Sequence, residues 1–385
     1  MIPYGRQSIN QKDIDQVINI LKSDYLTQGP RVPEFEKLIQ QYCSAEHAVA
    51  VNSATSALHL ACLALGLGPG DSLWTTPNTF VASANCGAWC GATVDFVDID
   101  PQTYNLSVPQ LALKLEWAEQ MNCLPKVIVP VHFTGQACDM AEINKLRDRY
   151  GFKVIEDASH AIGGSYHGQL IGNCHYSDIT VFSFHPVKII TTGEGGVAVT
   201  NNQELAMKMS RLRTHGITRD PNQFSGPNQG DWYYEQIDLG FNYRMTDIAA
   251  GLGISQFDRL SKFVNRRKEI ADNYNTGLSE LPLILPYQAP GQKSAWHLYV
   301  VQVDSSKTAI NRRTLFRDLR ESGIGVNVHY IPVHVQPYYQ SLGFKQGDFP
   351  EAERYYEQAI SLPIHPSLTN AEQDQIINTM ASKLE

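Results

Sequence analysis

Hydrophobic residues near the start of the chain recur at helical spacing, at Ile14, Val17, Ile18 and Leu21 and again at Phe35, Leu38 and Ile39. This spacing predicts helices over 10–22 and 32–42, joined by a turn-rich loop at 25–30. From there short β-branched and aromatic runs alternate with longer amphipathic stretches. Strands are expected at 47–51, 72–76, 93–97, 126–131 and 153–156, with helices ending near Leu65 and covering 79–89, 108–118 and 140–150. A run rich in Ile, Val, Thr and Phe from Ser177 to Phe184 reads as another buried strand. Such alternation implies an α/β fold, a mostly parallel sheet covered by helices on both faces.

The pattern changes past residue 255. A helix over 245–265 and its continuation lead into a Pro-rich stretch at 282–292. A strand at 296–303, a helix at 311–322, a strand at 325–328 and helices at 350–360 and 370–384 follow. The chain therefore divides into a large domain, 1–255, that opens with a separate segment, 1–30, and a smaller α+β domain, 256–385. Gly66-Leu67-Gly68-Pro69-Gly70-Asp71 has the composition of a dinucleotide loop, but it follows a helix and precedes a strand. That is the reverse of the order a phosphate loop needs, so a helix cap and tight turn explain it. The longest turn-rich stretch, 216–236, reads as a flap or a partner contact.

Composition narrows the function. The chain has 385 residues, 43% hydrophobic and 18% charged, with a net charge of −8. A protein of this kind folds around a large core, and its charge argues against a general role on nucleic acid or membrane surfaces. No stretch approaches the roughly 20 apolar residues that span a bilayer, so a cytoplasmic protein is expected. The 7 cysteines show no paired zinc spacing. Cys86 and Cys90 share a helical face without a further ligand pair, and no metal site is expected.

The chemistry concentrates at predicted strand ends, where open α/β sheets bind ligands. Lys188 stands alone in the apolar run Ser183-Phe184-His185-Pro186-Val187-Lys188-Ile189-Ile190, just past a strand. A lone lysine is most often a surface group with a buried stem. Its company changes that reading. Asp157 closes another strand, where a carboxylate can meet a pyridinium nitrogen. Ala54, Thr55 and Ser56 open a helix after the strand at 47–51, where backbone N–H groups and hydroxyls can cradle a phosphate. Ser183 adds a hydroxyl at the lysine's own strand end. Amine, carboxylate and phosphate cradle together describe pyridoxal 5'-phosphate.

With these residues the chain resembles the sugar aminotransferases of the DegT/DnrJ/EryC1/StrS group. The likeness also rests on Tyr25-Leu26-Thr27-Gln28-Gly29-Pro30, Thr76-Pro77-Asn78-Thr79-Phe80-Val81-Ala82, Glu156-Asp157-Ala158-Ser159-His160-Ala161 and Gly240-Phe241-Asn242-Tyr243-Arg244-Met245. It implies the fold type I, aspartate-aminotransferase-like architecture and pyridoxal phosphate held as an imine, the internal aldimine, on Lys188. It further implies Phe80 stacked on the cofactor ring, His160 beside it, and Asn242 reaching the phosphate in the other subunit of a homodimer. The opening Ile2-Pro3-Tyr4-Gly5, the lysine segment and Val328-His329-Tyr330-Ile331 look most like the C4 aminotransferases of the pseudaminic acid pathway. That likeness implies a UDP-linked 2-acetamido-2,6-dideoxy-4-keto-hexose as acceptor and L-glutamate as donor. Tyr4, Asp24, Tyr25, Leu26, Thr27, Val328, His329, Tyr330 and Ile331 would be substrate contacts. Perosamine-type and aminoarabinose-type enzymes share most of these motifs. The family's sugar dehydratases typically carry histidine at the position of Lys188, and a non-catalytic relative would lack the lysine or the aspartate.

Overall fold

One mixed sheet of seven strands organises the protein, seen in a computed structural model that describes residues 1–384. In chain order the strands are β1 (His47–Val51), β2 (Ser72–Thr75), β3 (Thr93–Phe96), β4 (Val127–Val129), β5 (Lys153–Asp157), β6 (Ile179–Ser183) and β7 (Gly196–Thr200). Across the sheet they run β1-β7-β6-β5-β4-β2-β3. Neighbours from β3 to β6 are parallel, whereas β7 is antiparallel to both β6 and β1 and so runs alone against the rest. Every residue of β6 and β7 is buried. Sheets covered on both faces select continuous apolar runs over alternation, which is how these strands read.

The helices of this part are α1 (Gln11–Leu21), which packs on α8, and α2 (Arg31–Cys43), α3 (Ala54–Ala64), α4 (Ala82–Trp89), α5 (Val108–Gln120), α6 (Met140–Tyr150), α7 (Gln203–Leu212) and α8 (Asp247–Phe257). Side-chain caps start several of them: Asn10 on α1, Ser53 on α3, Ser107 on α5, Asn202 on α7 and Thr246 on α8. The remaining chain builds α9 (Leu260–Gly277), β8 (Leu283–Ile284), β9 (Tyr299–Val303), α10 (Arg312–Glu321), α11 (Pro337–Gln340), α12 (Pro350–Gln358), β10 (Ala359–Leu362) and α13 (Asn370–Leu384). Here β8, β9 and β10 form an antiparallel sheet of three strands over a second core that includes Ile270, Tyr274, Leu315, Ile360 and Met380. The cores hand over within α9, since Leu260 and Phe263 pack with the large sheet. Arg267, between them, is fully buried; its Nη1 donates to the carbonyls of Trp296, His297 and Ile364 at 3.1, 3.1 and 2.9 Å.

Several expected elements differ. The strand expected at 325–328 is extended chain with single bridges, Ile2 to Ile324 and Asn327 to Ser361, because it borders the N-terminal segment on one side and β10 on the other without continuous pairing. The helix expected at 350–360 stops at Gln358, and Ala359–Leu362 becomes a strand. Its apolar residues are claimed by β9, a long-range pairing that local periodicity does not register. The helix expected at 245–265 is two, broken at Asp258 and Arg259. Residues 79–81 form a turn, so α4 starts at Ala82 and Phe80 stands outside it. The strand expected from 296 begins at Tyr299. Gly66 and Gly70 have φ of 75° and 90° in the tight turn between α3 and β2, as the reversed motif order requires. Within 216–236, Ile217–Thr218 pairs with Glu235–Gln236, and the Glu235 carboxylate accepts from the N–H groups of Ser225 and Gly226 and from Tyr233.

Candidate active site

The carboxyl ends of β1, β2, β4, β5 and β6 share one sheet edge with the first residue of β7. At that edge lies a cavity of about 460 Å³ lined by Ser53, Ala54, Thr55, Phe80, Asp157, His160, Ser183, Lys188 and, from the C-terminal part, His297, His329 and Tyr330. Three larger surface grooves, of about 790, 630 and 490 Å³, contain none of the candidate cofactor or substrate residues. Chemistry therefore selects the smaller cavity over the larger ones.

Lys188 lies in a loop that leaves β6 and returns to β7. Phe184 closes the loop: its carbonyl accepts from Thr192 N–H at 3.0 Å and its N–H donates to Gly195 at 2.9 Å. Ile189 and Ile190, both buried, anchor the far side, so the partly buried lysine is carried on a fixed turn. Burial lowers its pKa to about 8, against the opposing pull of Asp157. An amine in that range gives up its proton far more readily than an ordinary lysine.

Asp157 ends β5. Its Oδ2 accepts from Ser83 Oγ at 2.7 Å and its Oδ1 from Ser159 N–H at 3.1 Å. The backbone is fixed as well, with His132 N–H on its carbonyl at 3.0 Å and its own N–H on Pro130 at 2.9 Å. One residue earlier, the buried Glu156 accepts from His132 Nε2 at 2.6 Å and from the hydroxyls of Ser177 and Thr180. His132 Nδ1 accepts the Cys138 N–H, so the ring donates to Glu156 through Nε2. Burial opposes ionisation of Glu156, but these donors outweigh it and hold the carboxyl below its usual range. A folded pKa below the unfolded one gives stability that is present above the unfolded carboxylate value, near 4.3, and is lost as pH falls through the folded value. Glu156→Ala is expected to destabilise the protein by about 3–5 kcal/mol at neutral pH, because several buried donors lose their acceptor. Urea titrations at pH 7 and pH 4 check this, with the gap to wild type narrowing at the lower pH.

Of the residues expected to cradle a phosphate, Ala54 and Thr55 line the cavity and Ser56 does not. Ser53 Oγ caps α3 by accepting the Ser56 N–H at 3.1 Å, and Ser56 Oγ donates to Asn52 at 2.6 Å. Ser56 is buried and its polar groups are spent inside the turn. The helical hydrogen bonds begin with Ala57 N–H on Ser53, which leaves the N–H groups of Ala54 and Thr55 facing the cavity. Gly196 makes this approach possible: a Cβ there would lie 2.5 Å from Ala54 N and 2.6 Å from Ser53 C.

The opposite wall comes from the C-terminal part. His160 Nε2 is 3.2 Å from Tyr330 Oη, and its ring lies 4.3 Å from that of His297. Burial, reinforced by the Lys188 charge, pushes His160 far below the usual imidazole range; burial and the charge of His160, then Lys188, do the same for His297. His329 falls to about 3 for like reasons, and its Nδ1 is 2.7 Å from Ser361 Oγ. His160, His297 and His329 are thus neutral imidazoles at neutral pH. Tyr4 reaches the cavity because the N-terminal segment pairs with the C-terminal part, Ile2 N–H on Gly323 at 2.8 Å, and its ring lies 5.5 Å from His329. Phe80 is 58% exposed at the cavity lip, 6.3 Å from Tyr330, which is no place for a core phenylalanine.

Other expected contacts lie elsewhere. Val328 and Ile331 flank the two residues that line the cavity but do not line it themselves, and Ile331 points to solvent. Asp24, Tyr25, Leu26 and Thr27 also lie outside the cavity, with Leu26 O accepting from Asp247 N–H and Thr27 bridged to Thr246. Asn242 is exposed beside Asn52. The Leu26 and Thr27 contacts bring the 24–27 loop against the segment that follows Asn242, outside this chain's own pocket. Ser53, Ser83, Ser159 and His297 are contributors that the sequence reading missed. The cap position was the available signal for Ser53; nothing local marks His297, whose neighbour His160 is far away in sequence.

A lysine on a fixed turn and a clamped aspartate line one cavity at the carboxyl edge of a doubly covered sheet, beside the Ser53-capped start of α3, an arrangement suited to capturing a carbonyl compound. The DegT/DnrJ/EryC1/StrS aminotransferase family matches residues 7–381, and the chain belongs to it. It is 42% identical to the spore coat polysaccharide biosynthesis protein SpsC of Bacillus subtilis, covering 98% of this chain and 96% of that one. It is 36% identical to the UDP-4-amino-4,6-dideoxy-N-acetyl-beta-L-altrosamine transaminase of Campylobacter jejuni, covering 100% and 98%. Among solved structures, the putative sugar aminotransferase Spr1654 from Streptococcus pneumoniae in its PMP form superposes with a TM-score of 0.90 at 30% identity, over 100% of this chain and 99% of that one. The same protein is known in a PLP form. The protein is thus a sugar aminotransferase with a fold type I architecture.

Proposed function

We propose that this protein is a pyridoxal-phosphate-dependent aminotransferase that moves an amino group from L-glutamate to C4 of a UDP-linked 2-acetamido-2,6-dideoxy-4-keto-hexose. The observation that carries the reading is the juxtaposition of Lys188 and Asp157 across one cavity, with the unpaired N–H groups of Ala54 and Thr55 at its end. The acceptor is proposed from the likeness to the Campylobacter transaminase. The residues fit the cofactor: Ala54, Thr55 and Ser183 for its phosphate, Asp157 for its ring nitrogen, Phe80 and His160 for its ring, and Lys188 for its aldehyde. When bound, pyridoxal phosphate supplies the electron sink that lets an amine exchange for a ketone.

The chain's own residues do the rest. Lys188 would anchor the cofactor and, once released, would take the proton from Cα of the donor in one half-reaction and deliver a proton to C4 of the sugar in the other, a task suited to an amine with a pKa of about 8. Asp157 holds a negative charge where the ring nitrogen must stay protonated. Tyr330, its phenol pushed upward by burial, keeps its proton and can bond a sugar hydroxyl beside Tyr4 and His329. Neutral histidines here bind polar groups without competing with Lys188 for the positive charge.

We also propose a homodimer with shared sites and two domains meeting at the cavity, 1–255 and 256–385, working in the cytoplasm. Support for the dimer comes from Asn242 and from Asp24 to Thr27, which share an exposed flank where Tyr25 and Leu26 leave apolar side chains uncovered. A second chain placed there would use them.

Gly196→Ala is expected to weaken pyridoxal phosphate binding about tenfold, since the added methyl displaces the first turn of α3 and its phosphate donors. Absorbance titration of the cofactor-free protein checks it. The sugar is tested by mixing the loaded enzyme with UDP-linked 4-amino sugars and following loss of the cofactor's visible band. The 4-amino-4,6-dideoxy-N-acetyl sugar should bleach it; a response only to GDP-linked sugars would refute the substrate.

A further inference from the structure

We infer that Ser83 is a positioning residue for Asp157, holding one oxygen of that carboxylate and tying it to the turn that carries Phe80. The inference rests on the cofactor reading above. Ser83 is fully buried in the first turn of α4, three residues past Phe80. Its hydroxyl is 2.7 Å from Asp157 Oδ2 and 3.4 Å from the Phe80 carbonyl. The shorter contact, to a charged acceptor, takes the single proton. Thr79 Oγ1, 2.8 Å from Ser83 Oγ, then donates to it, because a hydroxyl has only one proton to give. The result is a buried chain, Thr79 to Ser83 to Asp157.

The chain has a geometric consequence. Ser159 N–H holds Oδ1 and Ser83 holds Oδ2, so the plane of the carboxylate is set from both sides. Lone pairs not engaged by these donors remain for a ligand in the cavity that Asp157 lines. Thr79, Phe80 and Ser83 follow β2, whereas Asp157 ends β5. The hydroxyl chain therefore locks the group that faces the ring nitrogen to the segment that presents the ring-stacking phenylalanine, across two strand ends separated in the sheet only by β4. Without Ser83, rotation of the carboxylate is opposed by one backbone donor alone.

The test compares wild type and Ser83→Ala as purified full-length protein. Two quantities are read: the dissociation constant of pyridoxal phosphate for the cofactor-free protein, and the pH midpoint of the bound cofactor's visible absorbance. Ser83→Ala should weaken binding about tenfold, the loss of one charge-assisted hydrogen bond. It should also move the midpoint upward by about half a unit, because a loosely held Asp157 protonates the ring nitrogen less fully and leaves the lysine-linked nitrogen more basic. Thr79→Val should act in the same direction more weakly, and Ser83→Cys provides a second variant of similar volume if the alanine protein fails to fold. An unchanged midpoint and unchanged affinity in variants that fold, whatever their melting temperature, would overturn the inference. Failure of the wild-type protein to bind pyridoxal phosphate would instead overturn the proposed function.

Discussion

Lys188→Ala is expected to lower turnover by about four orders of magnitude and to leave the cofactor bound without a covalent link. The size follows from two losses at one atom. Nζ is the amine proposed to capture the cofactor and the base proposed to move the proton, and no second lysine lines the cavity. His160, His297 and His329 do not substitute, since burial and neighbouring charge hold all three far below the usual imidazole range. Stopped-flow and steady-state assays of the variant, with added small amines as a rescue, check both parts. In the cofactor-free wild type, amine-directed labelling of Lys188 should rise through a midpoint of about 8. The folded value lies below the unfolded lysine value near 10.4, so the unfolded chain binds more protons between the two. Stability of the cofactor-free protein should therefore rise with pH across that window.

Asp157→Asn should cost about a thousandfold in turnover while leaving the cavity's shape intact. The carboxylate is fixed by Ser83, by Ser159 and by backbone bonds to Pro130 and His132, so an amide takes its place with little movement. What disappears is the negative charge. Two readouts separate this from a packing defect. The bound cofactor's absorbance should shift as its ring nitrogen loses its proton. The labelling midpoint of Lys188 in the cofactor-free protein should fall below about 8, because the charge of Asp157 is what raises it. A midpoint that stayed in place would mean the two groups do not sense each other.

Parallel strands with both faces covered write themselves into the sequence as unbroken apolar runs, which is why β1 to β6 and the helices between them were legible. β7 and β10 were not. Gly196-Val197-Ala198-Val199-Thr200 opens on the second glycine of the pair Gly195-Gly196, which reads as loop, and Ala359–Leu362 continues a helical pattern until β9 claims it. Lys188, Asp157 and Thr55 stand out in the sequence because each lies at or just past a strand end, where open α/β sheets place ligands, and the structure brings all three to one cavity. His297 and Ser83 depend on partners more than 70 residues away, His160 and Asp157, and no local pattern encodes such a meeting. Ser56 misled for the opposite reason: a hydroxyl at a helix start can serve a ligand or the cap, and here Ser53 and Asn52 take it for the cap.

The central claim is that Lys188 carries the cofactor. Borohydride reduction of the protein loaded with pyridoxal phosphate, followed by digestion and peptide mapping, tests it most directly. The account predicts one labelled peptide, with the added mass on Lys188. A label on any other lysine, or no covalent label on a protein that binds the cofactor, would contradict it.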